Sequence, residues 1–172
     1  YDAQPFFPPG FMRGMYLHML SKSTLIKTNF ILRKNQKSPK NTPEELKNLQ
    51  TDFFNNIYNN PYTFCMRGEG NFSVRFYETL AMGRIPVLVN TNCRLPHHKM
   101  VDWGKHCLII DKTEIKKLPE KLNAFHRSMN AEEFASIQLA NRKLWEEKLR
   151  RESYFISLGK VFENEFLKKG NS

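Results

Sequence analysis

The residues best suited to chemistry crowd into one run, Met66–Val87, where Arg67, Gly68, Glu69, Gly70, Asn71, Ser73, Arg75 and Glu78 follow closely on one another. On a helix from Ser73 to Met82, Arg75, Glu78, Thr79 and Met82 share one side at i, i+3, i+4, i+7 spacing. Val74, Phe76, Tyr77, Leu80 and Ala81 make the other faces apolar, which predicts a mostly buried helix. Arg75 and Glu78 then form an almost solitary polar stripe at the mouth of a glycine loop. A guanidinium can hold an anion bidentately, and a carboxylate can accept hydrogen bonds from a diol. The pair suits a ligand with one anionic and one hydroxyl-bearing group, as in a nucleotide. The plainer alternative is an Arg75–Glu78 ion pair, worth about a few tenths of a kcal/mol on an exposed helix.

The loop Gly68-Glu69-Gly70-Asn71 falls between an expected strand and this helix. Open parallel sheets bind ligands beyond the carboxyl ends of their strands, and N–H groups at a helix start attract phosphate. An ordinary strand-to-helix turn that needs positive φ is the other reading of the glycines. Asn71 and Ser73 are also placed to act only as caps, Ser73 at the N-cap itself.

Two apolar runs bracket the helix as buried parallel strands, Tyr62-Thr63-Phe64-Cys65-Met66 and Ile85-Pro86-Val87-Leu88-Val89, and Cys107-Leu108-Ile109-Ile110-Asp111 is a third. Thr42-Pro43-Glu44-Glu45 reads as N-cap, first-turn Pro and acids, predicting a helix to about Asn56. A further helix is expected over 12–23, a short strand at Phe30-Ile31-Leu32 and a helix over Glu114–Arg127 interrupted near Pro119. Residues 130–168 read as largely helical with a solvated charged face. Residues 1–11 read as a loop that packs Phe6, Phe7 and Phe11, and Lys34 to Thr42 as a surface loop. Strands alternating with helices imply an α/β domain with a Rossmann-like parallel sheet flanked by helices, spanning residues 1–172 as one unit.

The chain has 172 residues, with 27 Lys and Arg against 17 Asp and Glu, a net charge of +10. The excess is spread, 4 over residues 1–60, 3 over 61–110 and 3 over 111–172, with no basic tail. Such charge suits an enzyme handling phosphates; nucleic-acid binding is the weakest of the readings, since the aromatic residues are scattered rather than interleaved with a basic patch. No run approaches the roughly 20 apolar residues that span a bilayer. The amino terminus lacks the pattern of a signal peptide, and a start without Met fits a fragment or a processed form. Cys65, Cys93 and Cys107 lack paired CxxC spacing and read as free thiols of a reducing compartment, hence cytoplasmic rather than secretory. Adjacent His97 and His98 point apart in most conformations and lack carboxylate partners nearby, so no metal site is expected. Trp103, after Asp102, reads as core packing.

The run from Phe64 to Pro96 resembles the exostosin-type glycosyltransferases, whose signature has the form FCxxPRGxGxxSxRxxExLxxGxIPVxxxxxxxLP. Here it stands as Phe64-Cys65, Arg67-Gly68, Gly70, Ser73, Arg75, Glu78, Leu80, Gly83, Ile85-Pro86-Val87 and Leu95-Pro96, with Asp102-Trp103 at similar distance. Met66 replaces the usual proline, and the loop form RGxGNxSxRFYExLxxGRIP is that of microbial or viral members. Upstream, Arg13 and Thr28-Asn29-Phe30-Ile31-Leu32-Arg33 share the resemblance, which covers roughly residues 12–125.

That resemblance implies one half of a GT-B enzyme: the carboxyl-terminal Rossmann-like domain, which holds a nucleotide-sugar. It implies inversion at the anomeric carbon and no catalytic metal or other cofactor. Arg75 would hold the diphosphate and Glu78 the ribose hydroxyls, with Arg67, Gly68, Gly70, Asn71 and Ser73 against the phosphates and sugar. The donor would be a nucleoside-diphosphate sugar, UDP-linked by family analogy, and the acceptor a glycan. An amino-terminal acceptor domain is not evident in this chain, and the general base would lie there. Glu69, the only acid in the glycine loop, is the in-chain candidate for that base, a solvated loop residue being its other reading. A non-catalytic nucleotide- or glycan-binding module is the rival function.

Overall fold

The computed structural model describes residues 9–32 and 41–163. The expected ring-packing at Phe6 and Phe7, most of the 34–42 loop and the helix beyond 163 lie outside them. Helix α1 (Pro9–Ser21) begins earlier than its periodicity predicts, so Phe11 belongs to it rather than to a loop. Helix α2 (Pro43–Tyr58) starts at a complete capping box. Glu45 N donates to Thr42 Oγ1 at 3.2 Å, and Thr42 N donates to the Glu45 carboxylate at 2.8 Å.

Strands β1 (Tyr62–Cys65), β2 (Ile85–Asn90) and β3 (Leu108–Asp111) form a parallel sheet in the order β1-β2-β3. Tyr62 lies opposite Ile85, and Val87 opposite Leu108. Helix α3 (Val74–Ala81) connects β1 to β2. After β3, a 3-10 stretch over Lys112–Lys117 leads into α4 (Leu118–Arg127), so Pro119 starts a helix instead of interrupting one. Helix α5 (Ala131–Leu144) continues through one π-helical turn, Trp145–Leu149, into α6 (Arg151–Phe162). The chain turns extended at Arg150, with ψ at 142°, so the long carboxyl-terminal helix is broken there.

Alternation along the strands sends side chains to two cores. Phe64, Met66, Val87, Val89 and Ile110 pack with Leu20 of α1 and Leu118 of α4. Cys65 and Leu88 pack on the opposite face with Phe76 and Leu80 of α3, Leu144 of α5 and Trp103. The fold is therefore α/β, a three-stranded parallel Rossmann-like sheet with helices on both faces. Trp103 is core, as expected, and its indole N–H donates to Pro96 O at 3.0 Å. Buried Asn141 fastens α5 to the sheet, donating to Arg84 O and His106 O at 2.9 Å each.

One expected strand does not form. Residues 28–32 carry no regular secondary structure and pair with no strand among the described residues, and Ile31 and Leu32 are 46% and 71% exposed. The Asn29 carbonyl is taken by the Asn56 side chain of α2 at 2.9 Å instead of by a strand.

Candidate functional site

Helix α3 buries Phe76, Thr79 and Leu80 against β1 and β2. That orientation corrects the predicted polar stripe. Thr79 faces inward, fully buried, donating its hydroxyl to Arg75 O at 2.6 Å and lying 3.9 Å from Cys65 Sγ. Val74 turns outward and is 58% exposed. Arg75 and Glu78 are left half-buried on the flank, where both line an open cleft of about 1390 Å³ beside β1. Such a space exceeds the roughly 300–1,000 Å³ typical of small-ligand pockets.

No ion pair joins Arg75 to Glu78 among the described residues. The Arg75 guanidinium instead lies over the Phe53 ring of α2, 5.0 Å from its centre. Burial lifts the Glu78 carboxyl above the ordinary carboxylate range, and the Arg75 charge partly offsets that lift. The two groups are near enough to feel each other while their hydrogen-bonding capacity is left for a third party.

Arg13 of α1 also lines the cleft, as do Lys27 and Lys47 of other segments. Its Nη2 donates to Arg67 O at 3.3 Å, beyond the carboxyl end of β1. Burial first, and the Arg75 charge second, pull the Arg13 guanidinium below its ordinary pKa. The Cys65 thiol is pushed up to about 12 by burial, and it feels Arg75, Glu78 and Arg13 alike. These three charges therefore gather where β1 ends, the place at which open parallel sheets bind ligands. In the sequence Arg13 is marked only by the family resemblance and by being a lone cation among Met12, Met15 and Tyr16.

The glycine loop holds itself in shape. Gly68 N donates to Phe72 O at 3.1 Å, and Arg67 Nη2 to Glu69 O at 3.4 Å. Neither Gly68 nor Gly70 has positive φ; among the described glycines only Gly83 does, at 61°. A Cβ at Gly70 would lie 2.6 Å from the exposed Phe72 ring, which would have to swing aside. Asn71 does not cap α3: its side chain bonds Thr91, donating to the carbonyl at 3.1 Å and accepting from the hydroxyl at 2.7 Å. Ser73 occupies the N-cap position, buried, with no side-chain capping bond. Arg67, Gly68, Gly70, Asn71 and Ser73 are not among the described residues lining the cleft, and Glu69 is exposed at the loop tip.

The adjacent histidines, His97 and His98, are not among the residues lining the cleft, whereas His126 is. His97 Nε2 sits 3.3 Å from Lys148 O and its ring packs on Tyr154, while His98 is exposed. Among the described residues no three His, Cys, Asp or Glu side chains gather as metal ligands.

The model of the Exostosin GT47 domain matches residues 20–125, which include the loop, α3 and all three strands. The chain belongs to the exostosin family. It is 32% identical over 101 residues to Exostosin-1 of Drosophila melanogaster, covering 58% of this chain and 12% of that protein. It is 33% identical over 67 residues to the Exostosin-1 homolog of Caenorhabditis elegans, covering 38% and 18%. Human Exostosin-like 1 is 29% identical over 103 residues, covering 58% and 14%. The matched stretch thus spans less than a fifth of each of these relatives. Within the exostosin match fall Arg75 and Glu78; Arg13 lies just upstream of it.

Proposed function

We propose that this chain is the donor-binding part of a glycosyltransferase of GT-B architecture, which transfers a sugar from a nucleoside-diphosphate sugar, UDP-linked, to a glycan acceptor with inversion. The single observation that carries this reading is the placement of Arg75 and Glu78, unpaired with each other, on one flank of the cleft at the end of β1. The Arg75 fork takes the diphosphate, and the Glu78 carboxylate accepts from the ribose hydroxyls. In the reaction the acceptor oxygen bonds to the anomeric carbon as the bond to the diphosphate oxygen breaks. The diphosphate leaves with the electron pair, and Arg75 meets that charge without need of a bound cation.

The acceptor's proton must go to a base. Glu78 is the only acid lining the cleft among the described residues, and its ribose role leaves it unsuited to that task. The base then comes from Glu69, through movement of the loop, or from an acceptor domain in another part of the polypeptide. That second source favours a rival reading for the isolated chain, a module that binds nucleotide or glycan without turnover.

Thermal denaturation with UDP, GDP and ADP at millimolar concentration, in magnesium and in EDTA, tests the proposal. Stabilisation by one nucleoside diphosphate that survives EDTA, and is lost in Arg75→Ala and Glu78→Ala, is the expected result. Variants that are stabilised as well as the parent would remove the site assignment. Sugar transfer by a longer polypeptide, but not by this chain, separates donor domain from complete enzyme.

A further inference from the structure

We propose that Arg13 is a second diphosphate-binding residue, sharing the donor's two phosphoryl groups with Arg75; this rests on the nucleotide reading above. Two guanidiniums reach the same cleft from different helices, α1 and α3, and neither has an acidic partner among the described residues. A lone surface arginine is indifferent to such a setting, because water solvates it. Arg13 is half-buried, and its hydrogen bond to Arg67 O uses one of five N–H donors. Placing a partly desolvated cation within reach of another is unfavourable unless an anion joins them. The cost is relieved most by a ligand that offers a separate acceptor group to each planar fork. A diphosphate does this, whereas a monophosphate satisfies one fork and leaves the second cation uncompensated.

The bond to Arg67 O adds a second consequence. Arg67 opens the glycine loop, so the cation that meets the ligand also touches the loop beside it. A purely structural Arg13 would act on every ligand of the cleft through that loop. A diphosphate-binding Arg13 acts on the number of phosphoryl groups.

Calorimetric titration of the parent chain, Arg13→Gln and Arg13→Lys with UDP and with UMP separates the two, with thermal denaturation confirming that each variant is folded. In Arg13→Gln, UDP affinity should fall at least about tenfold while UMP affinity stays within about twofold. Arg13→Lys, which keeps the charge without the fork, should restore UDP affinity in part. An equal loss for UDP and UMP, or no loss for either, overturns the assignment of Arg13 while the nucleotide reading stands. A parent chain that binds neither UDP nor UMP, nor GDP or ADP, overturns the nucleotide reading and this inference with it.

Discussion

Asn71 and Thr91 are joined by two hydrogen bonds, at 3.1 and 2.7 Å, which tie the glycine loop after β1 to the turn after β2. The two strand ends are thereby held at a set spacing beside the cleft. Thr91→Val and Asn71→Ala should each lower stability by about 1 kcal/mol and weaken nucleotide binding several-fold. Because they break the same contact, the double variant should cost clearly less than the sum of the two. Denaturant titration of all three proteins checks this, and strict additivity would show that the contact does not set the loop.

Glu78 should make both stability and binding depend on pH, in opposite senses. Its folded pKa lies above the ordinary value of 4.5, so the fold favours the protonated acid. That contribution is fully present below 4.5 and is lost as pH rises through the raised pKa. Glu78→Gln, neutral throughout, should therefore gain on the parent in melting temperature between acid and neutral pH. Nucleotide affinity should move the other way, since only the carboxylate accepts both ribose hydrogen bonds. Parallel pH series of melting and of UDP titration, parent against Glu78→Gln, reveal whether the curves diverge as described.

Gly83 ends α3 in the left-handed region, with φ at 61°, and its N–H donates to Leu80 O at 3.0 Å. A Cβ there would meet Gln138 O of α5 at 3.1 Å. Gly83→Ala should cost roughly 1–3 kcal/mol through the backbone alone. Calorimetry should show the melting temperature falling by about 2–4 °C per kcal/mol. An unchanged transition would contradict the left-handed backbone at Gly83 as a source of strain for a side chain.

Thiol chemistry should sort the cysteines by burial. Burial pushes both Cys65 and Cys107 up to about 12, which keeps them as thiols at pH 8. Cys93 is half-buried, so iodoacetamide at pH 8 should label it first. Peptide mass analysis should find Cys65 and Cys107 labelled only after denaturant is added. Early labelling of Cys65 would contradict its place at the sheet core.

Much of this architecture is legible in the chain because the local signals and the packing agree. Thr42-Pro43-Glu44-Glu45 closes a capping box, and the runs at Tyr62 and Ile85 are buried strands in register. Element ends such as those at Pro119 and Arg150 are misjudged locally, whereas the misread faces share one cause, that facing is decided by neighbours far away in sequence. Val74 is apolar and Thr79 polar, yet Phe76 and Leu80 seat α3 so that the threonine points at Cys65 and the valine at water. The Phe30-Ile31-Leu32 run has strand composition, but Asn56 supplies the hydrogen bond that a strand partner would make. Arg75 and Glu78 follow from spacing; Arg13 is singled out only by the family resemblance, and its relation to them exists only once α1 has docked.

That docking gives the cleft an unusual dependence on order of assembly. An intermediate built on residues 62–111 would hold all three strands, α3 and the glycine loop. Such an intermediate would have its backbone topology in place but only one of the two arginines. The contact from Arg13 to Arg67 is among the longest in sequence, and non-local contacts of this kind form late, after the chain entropy between them has been surrendered. Full ligand affinity would then report completed folding more faithfully than helix or strand content does. A polypeptide shortened past α1 would lose Leu20 from its core as well as Arg13 from its cleft.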